Sequence, residues 1–273
     1  PLAAEGARVP LLVLVVAAHP DDEMIGPGAT ILELAANGAL VIVVILAADQ
    51  ACRRRESLGA LAAANVPHDQ VFLMELVDGR LTEHRPDVEA ILRVFAAELK
   101  PDLVLTHASD VHPDHRTVAD ACRRVFHRGA CSVLHYAIPQ AVPSAITKVA
   151  VVRVPEATAH RKVDELLPLY ETECRRAPDY SDRELHLGDL RANGIAAGTR
   201  YAEGFDVTAV RLTACPCCGQ RRFEFLDVTR TAWVSTLCGR NAVQITPAEP
   251  RPVDLQALAA TLGAELLGGW LRV

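Results

Sequence analysis

Two short segments hold most of the side chains able to do chemistry. One reads Ala18-His19-Pro20-Asp21-Asp22-Glu23 and the other Asp110-Val111-His112-Pro113-Asp114-His115. Each follows an apolar, β-branched stretch, Leu11 to Val16 and Leu103 to Leu105. Each is therefore expected in the loop at the carboxyl end of a buried parallel strand, where open α/β sheets bind ligands. Imidazoles and carboxylates gathered there make one divided metal site. Such ligands suit Zn²⁺, and three protein ligands with one open position is a hydrolytic rather than a structural arrangement. Alone, His-Pro-Asp-Asp is equally a turn whose aspartate caps a helix. The repeat of His-Pro-Asp between strand and helix favours the metal. Adjacent Asp21 and Asp22 cannot point the same way from an extended loop, so one can ligate while its neighbour faces a bound water.

The elements that must position these residues follow from hydrophobic patterning. Strands are expected at Leu11–Ala17, Leu40–Leu46, Val71–Met74, Leu103–Thr106 and Cys131–Tyr136, separated by helix-length segments. That alternation predicts right-handed βαβ crossovers and an α/β fold: a Rossmann-like, mostly parallel sheet flanked by helices. Pro86-Asp87 opens a helix reaching Lys100, and Asp114 precedes one reaching His127. Further on, Val149–Val154 is expected as a strand, Thr158–Tyr170 and Asp182–Thr199 as helices, and Tyr201–Val210 as a return to the sheet. The chain of 273 residues is 50% hydrophobic but only 4% aromatic, so the core must be Val, Leu, Ile and Ala, as in parallel sheets covered on both faces. Gly26-Pro27-Gly28 lets backbone approach the site closely. It is not a Gly-x-Gly-x-x-Gly loop, so no dinucleotide is implied.

These motifs resemble the PIG-L or LmbE-like zinc-dependent N-deacetylases over about residues 11–207. The strongest are His19-Pro20-Asp21-Asp22-Glu23 with Gly26 and Gly28, and His112-Pro113-Asp114-His115. Weaker ones are Arg53 with Glu56, Asp78-Gly79-Arg80-Leu81, Leu169-Tyr170-Glu171-Thr172-Glu173 and Tyr201-Ala202-Glu203-Gly204-Phe205. The resemblance implies that His19, Asp22 and His115 hold zinc, that Asp21 is the general base, and that protonated His112, oriented by Asp114, stabilises the oxyanion. It implies that Arg53 and Asp78 contact sugar hydroxyls, which a fork-shaped guanidinium and a carboxylate can pair with. The expected reaction is removal of an N-acetyl group from an N-acetylglucosamine-type sugar by Asp-assisted attack of zinc-bound water. Fe²⁺ is the alternative metal, since an imidazole–carboxylate site also accepts it. His107 and His135, near strand ends, are assigned no role.

From about Arg211 the composition changes. Cys215-Pro216-Cys217-Cys218-Gly219 and the stretch from Leu237-Cys238-Gly239 to Ile245 resemble the carboxyl-terminal part of ThiF/MoeB adenylyltransferases. The second Cys-x-x-Cys, the adenylation loop and its glycines are absent, so adenylation is not inferred. Cys215, Cys218 and Cys238 offer an irregular zinc site lacking a fourth obvious ligand. The expectation is a deacetylase domain over 1–210 and a small α+β appendage over 211–273, a docking place for a protein partner. The isolated Cys52, Cys122, Cys131 and Cys174 are expected to be buried thiols.

A net charge of −6 with dispersed arginines leaves no nucleic-acid footprint. The longest apolar runs, Val9–Ala18 and Ala39–Ala48, are about half of the roughly 20 residues a membrane helix requires. The first lacks a basic leader and ends in His19, so no membrane contact and a cytoplasmic location are expected. Two other functions use the same residues. One is cleavage of a larger amide in a sugar-thiol conjugate; the other is binding of an acetylated sugar without turnover, which needs neither Asp21 nor His112.

Overall fold

The first two strands, β1 (Leu12–Ala17) and β2 (Leu40–Ile45), are apolar at every position because both faces of the sheet are covered. In the computed structural model, which describes residues 10–127, 131–139, 150–177, 179–209, 253–262, 265–267 and 270–272, alternate residues of β1 enter two separate cores. Val13, Val15 and Ala17 pack with α2 (Gly28–Ala36) and α3 (Ala51–Ala63) through Ile31, Leu32, Leu58 and Leu61. Leu12, Leu14 and Val16 pack with α4 (Arg85–Leu99) and α5 (Pro113–Phe126) through Val88, Leu92, Phe95, Val118 and Cys122.

β1 pairs in parallel with β2 on one side and with β4 (Leu103–His107) on the other. β3 (Val71–Leu73) extends the sheet beyond β2, and β5 (Ser132–Tyr136) extends it beyond β4, all parallel. The chain thus runs outward from β1 in both directions, and the carboxyl ends of β1 and β4 flank the point where strand order reverses. Loops diverge there and leave a crevice, so the two histidine motifs meet at a place the topology itself opens.

Two elements depart from the simple pattern. β7 (Tyr201–Ala209) is antiparallel to both β5 and β6 (Ala150–Val154), making the sheet mixed at that end. The helix expected over Thr158–Tyr170 is instead α6 (Glu156–His160), a π turn over Arg161–Leu166 and a 3-10 turn over Leu167–Leu169. Pro168 lacks the amide an α-ladder needs, so the helix cannot continue through it. A short α7 (Glu171–Arg176) comes next. The helix expected over Asp182–Thr199 forms as α8 (Arg183–Ala196), opened by the Asp182 carboxylate, which accepts from the Leu185 amide (2.7 Å).

Lys162, in the π turn, is buried and donates to the carbonyls of Ile25 (2.7 Å) and Gly26 (2.9 Å) and to Glu203 Oε1 (2.6 Å). Glu203 on β7 accepts from the amides of Ala29 (2.9 Å) and Thr30 (2.7 Å), so the pair braces the corner between α1 (Asp22–Ile25) and α2.

Gly26 sits in that corner because nothing larger fits: a Cβ there would lie 2.3 Å from the Tyr136 ring. The Tyr136 hydroxyl donates to Val16 O (3.0 Å), so the ring is pinned. Gly26→Ala is expected to lower stability by about 1–3 kcal/mol through overpacking. A thermal melt checks this; an unchanged Tm would show that the corner relaxes freely.

The expected domain boundary at 210/211 and Cys215, Cys217, Cys218 and Cys238 lie outside the described residues. Closer to the carboxyl end, α9 (Leu255–Thr261) buries Leu258 against the α4 side of the sheet. Two further strands, β8 (Glu265–Leu267) and β9 (Trp270–Arg272), pair antiparallel with each other, and β9 adds in parallel to β3. The sheet thus has nine strands among the described residues. Of the isolated cysteines, Cys122 and Cys131 are buried as expected, but Cys52, in the first turn of α3, is exposed, and Cys174 is only partly covered. No helix among the described residues is long and apolar enough to cross a membrane.

Candidate metal centre

Asp22, the first residue of α1, is the hub of the crevice. Its carboxylate lies 3.2 Å from His19 Nδ1, 3.4 Å from His115 Nε2 and 3.3 Å from His107 Nε2. His19 and Asp22 come from the loop after β1, His107 ends β4, and His115 stands in the first turn of α5. Residues some ninety positions apart therefore converge on one carboxylate.

The far ring nitrogens of the two motif histidines are also held. His19 Nε2 lies 3.1 Å from Asp114 Oδ2 and 3.2 Å from Asp78 Oδ1, while His115 Nδ1 lies 2.7 Å from Asp110 Oδ2. Metal-ligating histidines ordinarily carry such outer carboxylates, which fix tautomer and ring orientation. Three overlapping sets bring one donor atom per residue within 4.8 Å of one another: His19 with His112 and His115, Asp22 with His107 and His115, and His19 with Asp78 and Asp114.

The electrostatics show a nest that calls for positive charge. Burial works against a charged His19, yet Asp114, Asp22 and Asp78 outweigh it and hold its pKa well above the usual value. Burial likewise opposes charge on His115, but Asp22 and Asp110 raise it to about 9. Asp22 is driven well below the carboxylate range: burial acts against this, and His115 and His107 overcome it. Asp78 is lowered to about 2, chiefly by its hydrogen bond to His19. Protons on the imidazoles thus supply the charge a divalent cation would bring, and imidazole with carboxylate is a donor set that Zn²⁺ and Fe²⁺ both accept.

His107 backs this centre from below. Burial and then the neighbouring His115 push its pKa down to about 4, and its Nε2 accepts from the Ala18 amide (3.0 Å). Its ring stacks on His115, centroids 4.1 Å apart, and its buried Nδ1 has no hydrogen-bond partner among the described residues.

Asp21 stands beside Asp22 in an unusual backbone conformation, φ 126°. Burial and the adjacent Asp22 raise its carboxyl well above the ordinary range, and Arg53 opposes them from 3.5 Å. Arg53, which the resemblance assigns to sugar hydroxyls, lies deep beside the site. It is only 5% exposed, and its guanidinium is occupied by Asp78 (2.8 Å), Pro20 O (3.1 Å), Glu173 (3.1 Å) and Asp21. Asp78, with its side chain 25% exposed, is the more open member of the pair.

Asp114 meets His112 through its backbone, its carboxylate being engaged elsewhere. Both Asp114 oxygens are taken, by His19 and by the amides of Gly79 (2.8 Å) and Leu81 (3.0 Å). The backbone amide of Asp114 instead donates to His112 Nδ1 (3.2 Å), because His112 is the N-cap of α5. A neutral His112 therefore carries its proton on Nε2, and burial together with His115 and His19 lowers its pKa.

An imidazole–carboxylate cluster at the strand-order switch of an α/β sheet defines a candidate metalloenzyme of the open-sheet class. Residues 14–126 match the family model described as PIG-L: GlcNAc-PI de-N-acetylase. Among solved structures, the conserved protein TT1542 of Thermus thermophilus is similar at TM-score 0.60 and 21% identity, over 72% of this chain and 94% of that one. The N,N'-diacetylchitobiose deacetylase of Pyrococcus horikoshii is similar at TM-score 0.60 and 19% identity, over 71% and 82%. A zinc-inhibited form of teicoplanin deacetylase is similar at TM-score 0.58 and 18% identity, over 71% and 96%. At such identities the likeness shows a shared fold. A separate match, 45% identical over 49 residues, is to the sulfur carrier protein ThiS adenylyltransferase of Bacillus subtilis (strain 168); it covers 18% of this chain and 15% of that protein.

Proposed function

We propose that this chain is a metal-dependent hydrolase that removes the N-acetyl group from an N-acetylglucosamine-type sugar or its conjugate. The observation that carries the reading is the placement of the Asp22 carboxylate between His19 Nδ1 and His115 Nε2, with Asp21 beside it. His19, Asp22 and His115 would hold the metal, and Asp114 and Asp110 would keep the two imidazoles in register. A divalent ion there, zinc or iron, polarises a carbonyl and lowers the pKa of water toward neutrality.

The chain's own residues supply the proton transfers. Asp21, its pKa raised by burial, is a stronger base than a solvated carboxylate and accepts a proton from the attacking water. His112 donates from Nε2 to the oxygen that gains charge as the amide carbonyl becomes tetrahedral. Asp78 faces the sugar, and Arg53 holds Asp78 and Asp21 in place from behind. A buried base in a strained backbone serves turnover and not mere retention of a ligand, which disfavours the binding-only alternative.

Release of acetate from N-acetylglucosaminides by zinc-loaded protein tests the proposal. No acetate from any N-acetylated amino sugar, with metal bound, would overturn it. His112→Ala is expected to lower turnover by roughly 10²- to 10³-fold while metal content stays near that of the parent. Loss of metal in His112→Ala, with retention in His115→Ala, would reverse the two assignments.

A further inference from the structure

The backbone of Asp21, φ 126° and ψ −34°, lies where side-chain-bearing residues are seldom found. Such a conformation persists only when its surroundings over-determine it. Its carbonyl accepts from the amides of Met24 (2.8 Å) and Ile25 (2.9 Å), opening α1, and its own amide donates to Glu23 Oε2 (2.8 Å). Glu23 is 0% exposed. Its other oxygen, Oε1, accepts from Ser57 Oγ on α3 and from the hydroxyl of Tyr170, both at 2.7 Å. Tyr170 is itself 0% exposed and lies at the start of α7, almost 150 residues from the motif it touches.

A buried carboxylate stays put only where donors hold it. Here the two hydroxyls fix Oε1, which leaves Oε2 aimed at the Asp21 amide. The same α7 brings Glu173 to Arg53, whose guanidinium is 3.5 Å from the Asp21 carboxylate. Backbone and side chain of Asp21 are thus tied to one distant segment by two separate routes.

We propose that Tyr170, acting with Ser57 through Glu23, is a positioning residue that holds Asp21 in the strained conformation from which it accepts the proton. The inference rests on the reading of Asp21 as general base. Tyr170 is fully buried, and its hydroxyl sets where the base points.

The test is a cycle of parent, Tyr170→Phe, Asp21→Asn and the double variant, with Ser57→Ala as an independent removal of the second hydroxyl. Tyr170→Phe keeps the ring, and is expected to lower kcat roughly 10- to 100-fold, the cost of a small misplacement of a reacting group. KM and metal content should stay within about twofold, and Ser57→Ala should move the same parameters in the same direction. In the Asp21→Asn background Tyr170→Phe should cost nothing further, since groups that act as a unit are not additive. The same loss in both backgrounds, loss of metal, or an unchanged kcat would overturn the proposal. A metal-loaded parent that releases no acetate would overturn the deacetylase reading instead. The positioning claim is then decided by a high-resolution structure of Tyr170→Phe: a displaced Glu23 or a relaxed Asp21 supports it, and Asp21 still at positive φ with Glu23 on its amide overturns it.

Discussion

Asp21→Asn should fold, bind metal and substrate, and lose roughly 10²- to 10⁴-fold in turnover, the usual cost of removing a general base. An amide is the same shape as the carboxylate but cannot accept a proton at neutral pH. Asparagine is as branched and as large as aspartate, so the change puts no new steric demand on the backbone at position 21. Its hydrogen bond to Glu23 is through the backbone and is untouched. Steady-state kinetics beside a metal assay check this outcome, and turnover equal to the parent's would remove Asp21 from the mechanism.

The second large effect is on the metal. His115→Ala removes a direct donor and should weaken metal binding by far more than the roughly 10- to 100-fold that losing an outer carboxylate costs. Asp110→Asn, which alters only the partner of His115 Nδ1, should fall within that smaller range. Equilibrium titration of metal into metal-free variants gives both numbers. A larger loss for Asp110→Asn than for His115→Ala would make Asp110 the ligand and His115 its support.

The parts of this site that are legible in the sequence are those written in adjacent residues. His19, Asp21 and Asp22 share one loop, and His112, Asp114 and His115 share another, so their types and spacing announce a common purpose. The strands that carry them are legible for a related reason: β1 and β2 are covered on both faces and cannot be mistaken for amphipathic elements. What remains hidden depends on contacts between distant segments. His107 meets Asp22 across 85 positions, and nothing in Leu103–His107 marks its last residue as other than packed. Asp110 is visible as a motif residue, but its choice of His115 over solvent is a matter of loop geometry. The carboxylate of Asp114 turns away from His112 because α5 begins there and the cap uses the backbone amide.

The burial of Arg53 is written in helical spacing. In the run Arg53-Arg54-Arg55 the charges suggest a solvated face, yet Arg53, Ser57, Ala60, Leu61 and Ala64 follow helical spacing and are all buried. The periodicity places Arg53 inward; its chemistry then demands the carboxylates that surround it. The antiparallel direction of β7 has no comparable trace, since the side-chain alternation of a strand reads alike in either sense.

The central claim, that a metal held by His19, Asp22 and His115 is needed for deacetylation, is tested most directly by titrating zinc into metal-free protein while following acetate release from an N-acetylglucosaminide. Without metal no hydrolysis is expected, and the rate should rise to a plateau at one equivalent per chain, with His115→Ala failing to rise at the same metal concentration. Full activity in the metal-free protein, or an equal plateau in His115→Ala, would contradict it.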